Sequence, residues 1–215
     1  MNMRRMVALQ VVILLVLVIA GFVGYYFYNQ SSTYIKTDDA QVSGQQIVIA
    51  APAAGQLTAW NGSVGSTFSS GSTVGTLAVP TGKGEVNMNI PDPSSSTIVD
   101  NLAVKNEYVS AGEPLAYAYN LNDLYVIANI KETDIRHVEV GQNVDVYVDA
   151  YPGTTYNGVV KQIDYTTAAT LSPLPSSNTN ADYTKVTQVI PVEIQLQSDT
   201  QGLAPGMNVR VRIHR

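Results

Sequence analysis

The side chains of this 215-residue chain that could hold a metal or transfer a proton are few and scattered. His137 and His214 are the two histidines, and neither has a cysteine or another histidine at metal-ligand spacing. Three carboxylates lie near His137 in the sequence, so a weak calcium or zinc site is the alternative to a solvated charged turn, which we favour. Asp38 and Asp39 are adjacent, and on a strand they would point to opposite faces, so they cannot flank one substrate bond. We predict no catalytic residue, no metal site and no cofactor, since the sequence also lacks a nucleophile elbow and a phosphate-binding glycine loop.

Composition narrows the classes of function further. The net charge is −5, and 13% of the residues are charged. A weakly charged, acidic chain argues against a nucleic-acid partner. The chain has no cysteine, which excludes disulfides, thiolate zinc sites and cysteine nucleophiles. Val, Ile, Thr and Tyr are frequent after residue 30 and strong helix formers are few, which indicates β structure.

A long apolar segment lies near the start of the chain. Residues 11–28 are uncharged, and as an α-helix they would span about 27 Å. The run ends in the aromatic residues Tyr25–Tyr28, as at a membrane–water interface. We predict a transmembrane anchor over residues 7–28 that places the chain in the lipid bilayer. A signal peptide cleaved after Ala20 is the alternative, although the apolar cores of such peptides usually run only about 7–15 residues.

The charges beside this segment predict its orientation. Arg4 and Arg5 lie in a short tail, residues 1–6, which the positive-inside rule keeps in the cytoplasm. Residues 30–215 are then extracytoplasmic, in a single-pass protein of the cell membrane. Residues 29–45 are predicted as a tether and first strand.

Beyond residue 30, short apolar-alternating stretches are separated by turn residues, which is typical of a β-sandwich or a β-barrel. The first set of predicted strands is Gln46–Ala50, Leu57–Trp60, Val74–Leu77, Val86–Ile90 and Leu115–Tyr119. The second set is Leu124–Ile130, Val144–Asp149, Tyr156–Ile163, Gln188–Leu196 and Val209–Ile213. The best helical candidate is Lys131–Val138, and residues 166–187 are predicted as a long loop. We predict a small closed β-barrel over residues 121–215.

An internal repeat lies within the first set of strands. Phe68–Val74 and Val109–Leu115 share the pattern apolar, Ser, small, Gly, two variable residues, apolar. In each copy the glycine, Gly71 or Gly112, can supply the positive φ of a tight turn. We therefore predict one pseudo-symmetric β-sandwich over residues 46–120, built from two half-motifs.

Four stretches of the sequence carry a resemblance to a known family. They are residues 37–44 (TDDAQVSG); 51–55 (APAAG) with the turns at Gly71 and Gly112; 124–135 with 141–142 and 149–153; and 174–175 with Gln188, 191–192 and 202–207. Together these resemble the membrane fusion protein family, the haemolysin-D-like (HlyD) periplasmic adaptors, most closely the subgroup that serves major-facilitator multidrug exporters. The resemblance covers essentially the whole chain and implies a mainly β fold with an N-terminal transmembrane helix, a lipoyl-like sandwich and a small barrel.

Two features depart from the family pattern. In most members a long α-helical coiled-coil hairpin separates the two lipoyl halves and reaches towards an outer-membrane duct. Here the eight residues 78–85 lie between Leu77 and Val86, which is enough for a turn only. This chain also has Val189 where the family usually carries an arginine after the glutamine. The missing hairpin predicts an adaptor that acts at one membrane.

Lys83 occupies the place at which lipoyl and biotinyl domains carry their modified lysine. Its neighbours Gly82 and Gly84 differ from the Asp or Met that such domains show, and the segment is predicted outside the cytoplasm, away from the ligases. A plain turn is favoured, with a carrier domain modified at Lys83 as an alternative.

The resemblance implies a membrane-anchored adaptor subunit of an export or multidrug efflux system rather than an enzyme. It would bind a major-facilitator or ABC permease in the same membrane and associate with its own copies. A stand-alone binding module of the cell envelope is the alternative. The candidate partner contacts are Lys131, Glu132, Asp134, Leu171, Leu174 and Tyr183. The candidate structural residues of turns are Gly55, Gly71, Gly112, Gly141, Pro152 and Gly206.

Overall fold

The computed structural model describes residues 12–25, 34–82, 84–164, 166–167 and 187–215. Residues 12–25 are α-helical, and the remaining ordered elements are almost all strands. The strands are β1 Tyr34–Ser43, β2 Gln46–Ala50, β3 Gly55–Trp60, β4 Thr67–Phe68, β5 Thr73–Thr81, β6 Gly84–Pro91, β7 Ser96–Asn101, β8 Tyr108–Val109, β9 Pro114–Tyr119, β10 Tyr125–Lys131, β11 Asn143–Val148, β12 Thr155–Ile163, β13 Val189–Leu196 and β14 Asn208–His214. The predicted mainly β fold is confirmed. Across these ranges, no helix is both long and apolar enough to cross a membrane.

Lys131–Val138, the best helical candidate and expected to form one or two turns at most, contains one helical turn. Only Ile135–His137 is helical, as one 3₁₀ turn, and none of its residues is buried. A segment this short has no apolar face to pack against the barrel, so the chain uses it as a turn between β10 and β11.

The described residues form two compact units. One contains those within 1–40, 128–194 and 209–215, and the other those within 41–127 and 195–208. The domain boundaries expected from the sequence, 46–120 and 121–215, stay a prediction.

Strands β2 to β9 form a β-sandwich of two four-stranded antiparallel sheets, ordered β2-β9-β7-β4 and β6-β5-β3-β8. Alternate residues of both sheets point into one shared core. Its largest members, each at most 1% exposed, are Ile49, Leu57, Leu77, Ile90, Ile98 and Leu115. Burial of these side chains is what holds the two sheets together.

The two half-motifs of the repeat interlock within this sandwich. The first half supplies β2 to β5 and the second half β6 to β9, and each half gives two strands to each sheet. Each strand of the first half has a counterpart in the second half: β2 and β6, β3 and β7, β4 and β8, β5 and β9. When every strand is replaced by its counterpart, the order β2-β9-β7-β4 of one sheet becomes the order β6-β5-β3-β8 of the other. Each half alone keeps one strand pair, β3 with β5 or β7 with β9, and needs the other half to complete both sheets.

The two halves are joined by a hairpin. Strands β5 and β6 pair continuously from Thr73↔Pro91 to Thr81↔Gly84, with one register shift near Gly75. Only residues 82 and 83 lie between the two strands, and residue 83 lies outside the described residues. The chain thus turns straight back at the place where most relatives are expected to carry a coiled-coil hairpin.

The remaining strands form a closed six-stranded barrel, ordered β1-β10-β13-β12-β11-β14. Its interior is filled by β-branched side chains that alternate with exposed ones along each strand, including Val126, Ile130, Val146, Val160, Ile194 and Ile213. Strand β1 lies well before the expected barrel range of 121–215. It closes the barrel between β14 and β10, a long-range pairing that periodicity alone cannot reveal.

Candidate functional site

The side chains that could bind a metal or transfer a proton do not form one cluster. The Asp39 carboxylate accepts a hydrogen bond from Asn129 Nδ2 at 3.1 Å. His214 Nε2 lies 3.0 Å from the Asp145 carboxylate. His137 Nδ1 is buried without a hydrogen-bond partner. The part of the chain that the structure describes holds no group of three or more His, Asp or Glu side chains arranged to bind a metal.

An open groove of about 400 Å³ lies on the outside of the barrel, where β1, β11 and β14 meet. Its lining carries three cations, of Lys36, Arg210 and Arg212, and one carboxylate, of Asp38. The Arg212 guanidinium lies 5.0 Å from the ring centre of Tyr147. Arg210 pairs with Asp149 outside this lining, at 3.2 Å. The amino-acid sequence alone does not reveal this groove, because β1 and β14 lie at opposite ends of the β region of the chain.

Three of the six candidate partner contacts lie together in one turn. Lys131 ends β10, and Lys131 and Glu132 are both exposed. The Asp134 backbone N–H donates to the Lys131 carbonyl at 2.9 Å, which closes the turn. The Glu132 N–H donates to the Gln188 carbonyl at 3.0 Å. This hydrogen bond fastens the turn to the residue that precedes β13.

The other three candidate contacts, Leu171, Leu174 and Tyr183, lie outside the described residues, as does Lys83. In the sequence, Gln188 directly follows the loop predicted over residues 166–187. We name residues 131–134 the acidic turn because they carry Glu132 and Asp134.

The candidate structural residues fall into two groups. Four glycines have a positive φ, which strains other residues: 78° at Gly71, 81° at Gly112, 95° at Gly141 and 89° at Gly206. The other two candidates lack this feature. Pro152 precedes Gly153, whose φ is 94° and which is not among the six candidates.

Gly55 is required for a different reason. It is buried in β3, and a Cβ atom built on it would lie 2.5 Å from the carbonyl oxygen of Ala78. Only a residue without a side chain permits the backbones of β3 and β5 to approach this closely.

Comparison with known proteins agrees with this architecture. Residues 124–213, which hold the barrel strands from β10 onward, match the family model of the YknX-like beta-barrel domain. The chain is 41% identical over 213 residues to YhbJ of Bacillus subtilis (strain 168), named provisionally as an efflux system component. That similarity covers 99% of this chain and 94% of the relative.

More distant relatives match in part. The colistin resistance protein EmrA of Acinetobacter baumannii is 33% identical over 126 residues, covering 58% of this chain and 36% of the relative. The fold resembles the solved structure of the periplasmic adaptor protein EmrA, with a TM-score of 0.56 and 13% identity over 85% of this chain and 98% of that one. The near full-length similarity to an efflux component, the matching barrel and the adaptor fold lead to one assignment. The chain belongs to the membrane fusion protein family, the adaptor components of efflux systems.

Proposed function

We propose that this protein is the membrane-anchored adaptor subunit of an export or multidrug efflux system and that it acts without catalysis. The observation that carries the proposal is the 41% identity to an efflux system component across almost the whole of both chains. A family of structural, non-enzymatic components works through surface shape and assembly. We accordingly propose no catalytic residue and no cofactor.

The anchor is residues 7–28, with residues 1–6 in the cytoplasm and residues 30–215 outside it. The uncharged run supports this, as do the side chains of the helical residues 12–25. Leu14 and Leu17 are each 66% exposed, and Phe22 is 77% exposed. A helix that is apolar on all sides needs a partner other than water, and lipid is the economical one.

The partner is a transporter in the same membrane, of the major-facilitator or ABC class. We assign its contacts to the acidic turn, including Lys131, Glu132 and Asp134, and to Leu171, Leu174 and Tyr183 in the segment that follows β12. The hydrogen bond between Glu132 and Gln188 supports one common surface, because Gln188 follows that segment closely in the sequence. Long connections on a rigid barrel are frequent places for such contacts.

Capture from membranes tests this function. The full-length protein carrying an affinity tag is purified from its native membranes in mild detergent, and the co-purifying proteins are identified by mass spectrometry. We expect a multi-pass permease, and we expect its yield to fall with the combined charge reversal Lys131→Glu, Glu132→Lys and Asp134→Lys. The matched control is Lys105→Glu, which reverses an exposed charge in a turn of the sandwich.

Two results would decide against the proposal. Recovery of no permease at all would favour the stand-alone binding module. Equal permease recovery from the triple variant would remove the acidic turn from the contact surface. Protease added to intact cells, or to spheroplasts where an outer membrane is present, tests the topology, and full protection of residues 30–215 would reject it.

A further inference from the structure

A second groove, of about 500 Å³, lies against the outward face of strands β2, β7 and β9 of the sandwich. Residues 41–43 and 204–206 complete its walls, and all of its lining residues belong to one compact unit. We name it the sandwich groove, and it shares no lining residue with the groove on the barrel. Its volume lies within the range of about 300–1,000 Å³ that is typical of small-molecule sites.

Two tyrosine rings of β9 line the sandwich groove. Tyr117 and Tyr119 lie two residues apart, so their side chains point to the same, outward face of the strand. Ala116 and Ala118, which alternate with them, are fully buried in the core. Both tyrosines are half-buried, and within the described part of the chain no protein group hydrogen-bonds to either phenol hydroxyl.

A register shift places a carboxylate beside these rings. Ile98 of β7 lies opposite Ala118 of β9. Two residues later, Asp100 lies opposite Tyr117, so β7 holds one extra residue between the two pairs. Regular alternation from the buried Ile98 would turn Asp100 towards the core. Because of the extra residue, Asp100 is instead exposed and lines the sandwich groove, as β-bulges commonly re-aim a side chain near a functional site.

The charge of the sandwich groove is negative and uncompensated. Asp100 is the one charged residue among the described residues that line it. In the described ranges, no cationic side chain pairs with this carboxylate and no hydrogen-bond donor contacts it. Both the carboxylate and the electron-rich faces of aromatic rings attract positive charge. The combination favours a cation that also carries apolar surface.

We propose that the sandwich groove binds an organic cation, such as a protonated or quaternary amine or a phosphonium with apolar substituents. Asp100 faces the charge, and Tyr117 and Tyr119 contact the apolar groups. Val99 and Pro205 add to the apolar part of the lining. The proposed function gives this site a use, which is contact with an organic cation that the efflux system exports. That use rests on the proposed function, whereas the binding itself does not.

Two ions of similar size and shape but opposite charge test the proposal. Binding of tetraphenylphosphonium and of tetraphenylborate to the full-length protein is measured by equilibrium dialysis in a non-ionic detergent, against the same micelles without protein. We expect tetraphenylphosphonium to bind at one site and tetraphenylborate to bind several-fold more weakly. Equal binding of the two ions, or no tetraphenylphosphonium binding above that of the micelles, overturns the proposal.

Variants locate the bound ion. Asp100→Asn and Tyr117→Leu should each weaken tetraphenylphosphonium binding about two- to fivefold, since each removes one attraction for the cation. The matched controls are Glu107→Gln, at an exposed carboxylate, and Tyr108→Leu, at a ring that is 72% exposed. Neither control residue lines the sandwich groove, so both variants should bind like the unsubstituted protein. Equal affinity of Asp100→Asn and Glu107→Gln would place the ion elsewhere and overturn the assignment.

Melting temperatures separate lost binding from misfolding. Without ligand, Asp100→Asn should melt with Glu107→Gln, because both positions are exposed. If it melts lower, Asp100→Glu decides: this variant keeps the charge, so restored binding supports the site and continued loss overturns it. Permease capture from native membranes separates the two ideas. Capture without tetraphenylphosphonium binding rejects only this site, whereas binding without capture rejects the adaptor function and leaves the site.

Discussion

The backbone N–H of Gly112 donates a hydrogen bond to the carbonyl oxygen of Ala51 at 2.8 Å. The counterpart in the other half-motif is the N–H of Gly71, which donates to the Asp92 carbonyl at 2.7 Å. Each glycine turn is therefore fastened to the segment that follows the first strand of the other half. The return bonds, from the N–H groups of Ala51 and Asp92 to the carbonyls of Glu113 and Ser72, are both 2.9 Å long. Each half is thus hydrogen-bonded to the other through an equivalent turn, and the sandwich should unfold as one unit.

Replacing Gly71 or Gly112 should destabilise the sandwich. Gly71→Val and Gly112→Val each force a β-branched residue to a φ near +80°, although the space around both Cβ positions is free. The strain is conformational, and we expect each variant to lose about 1–3 kcal/mol in free energy of unfolding. Denaturant unfolding of the detergent-solubilised protein measures the loss. Gly82→Val is the matched control, because its site has no positive φ and no neighbour within 4 Å of the added Cβ. Equal stability of all three variants would show that the glycine turns connecting the two half-motifs do not require a positive φ.

Gly55 should not tolerate substitution either, and here the reason is steric. In Gly55→Ala the new methyl group would overlap the Ala78 carbonyl oxygen at 2.5 Å, and backbone cannot move aside as a flexible side chain can. We expect a loss of about 1–3 kcal/mol, as in other overpacked interiors. Thermal unfolding reports it, with Gly82→Ala as the neutral comparison. A melting temperature equal to that of Gly82→Ala would show that β3 and β5 separate easily.

The Asp92 carboxylate should stabilise the turn before β7. Asp92 is fully buried, and its carboxylate accepts hydrogen bonds from Ser96 Oγ at 2.8 Å and from the Ser94 N–H at 3.3 Å. Asp92→Ala leaves the Ser96 hydroxyl buried without its partner, which should cost about 1–3 kcal/mol. The control is Asp100→Ala, at an exposed carboxylate. If both variants unfold at the same denaturant concentration, the Asp92 hydrogen bonds contribute little.

Local pattern was sufficient to predict most of the strands. The predicted strand Gln46–Ala50 is β2, and Leu115–Tyr119 lies within β9, because apolar alternation reports directly which face is buried. The two-residue strands β4 and β8 are too short to show a period. The role of β1 in closing the barrel depends on partners far along the chain, so it was not predicted.

The candidate functional surfaces were harder to predict from the sequence than the strands. Lys131, Glu132 and Asp134 are close in sequence, so their position in one turn followed from local structure. The groove that contains Lys36 and Arg212 and the sandwich groove that contains Asp100 both depend on which strands become neighbours. Such surfaces can be recognised only once the strand order is known.

The short hairpin between β5 and β6 leads to the prediction that the protein works at one membrane. Residues 78–85 would reach about 28 Å even if fully extended, and in the structure Pro80 and Thr81 already pair with Glu85 and Gly84. A hairpin that meets an outer-membrane duct needs many helical turns in each arm. Efflux that depends on this protein should therefore persist in a host without such a duct.

The measurement is substrate efflux from cells with the gene intact or deleted, each with and without any outer-membrane duct protein that the host has. We expect deletion of this gene to abolish efflux and loss of the duct to leave the dependence on this protein unchanged. Thr81→Cys, at the tip of the hairpin, provides the physical probe, since the chain has no other cysteine and this residue is exposed. Maleimide labelling first shows that the thiol is reachable. A crosslink from this thiol to a duct, together with efflux that requires both proteins, would show that the hairpin does meet an outer-membrane partner and that action at one membrane is wrong.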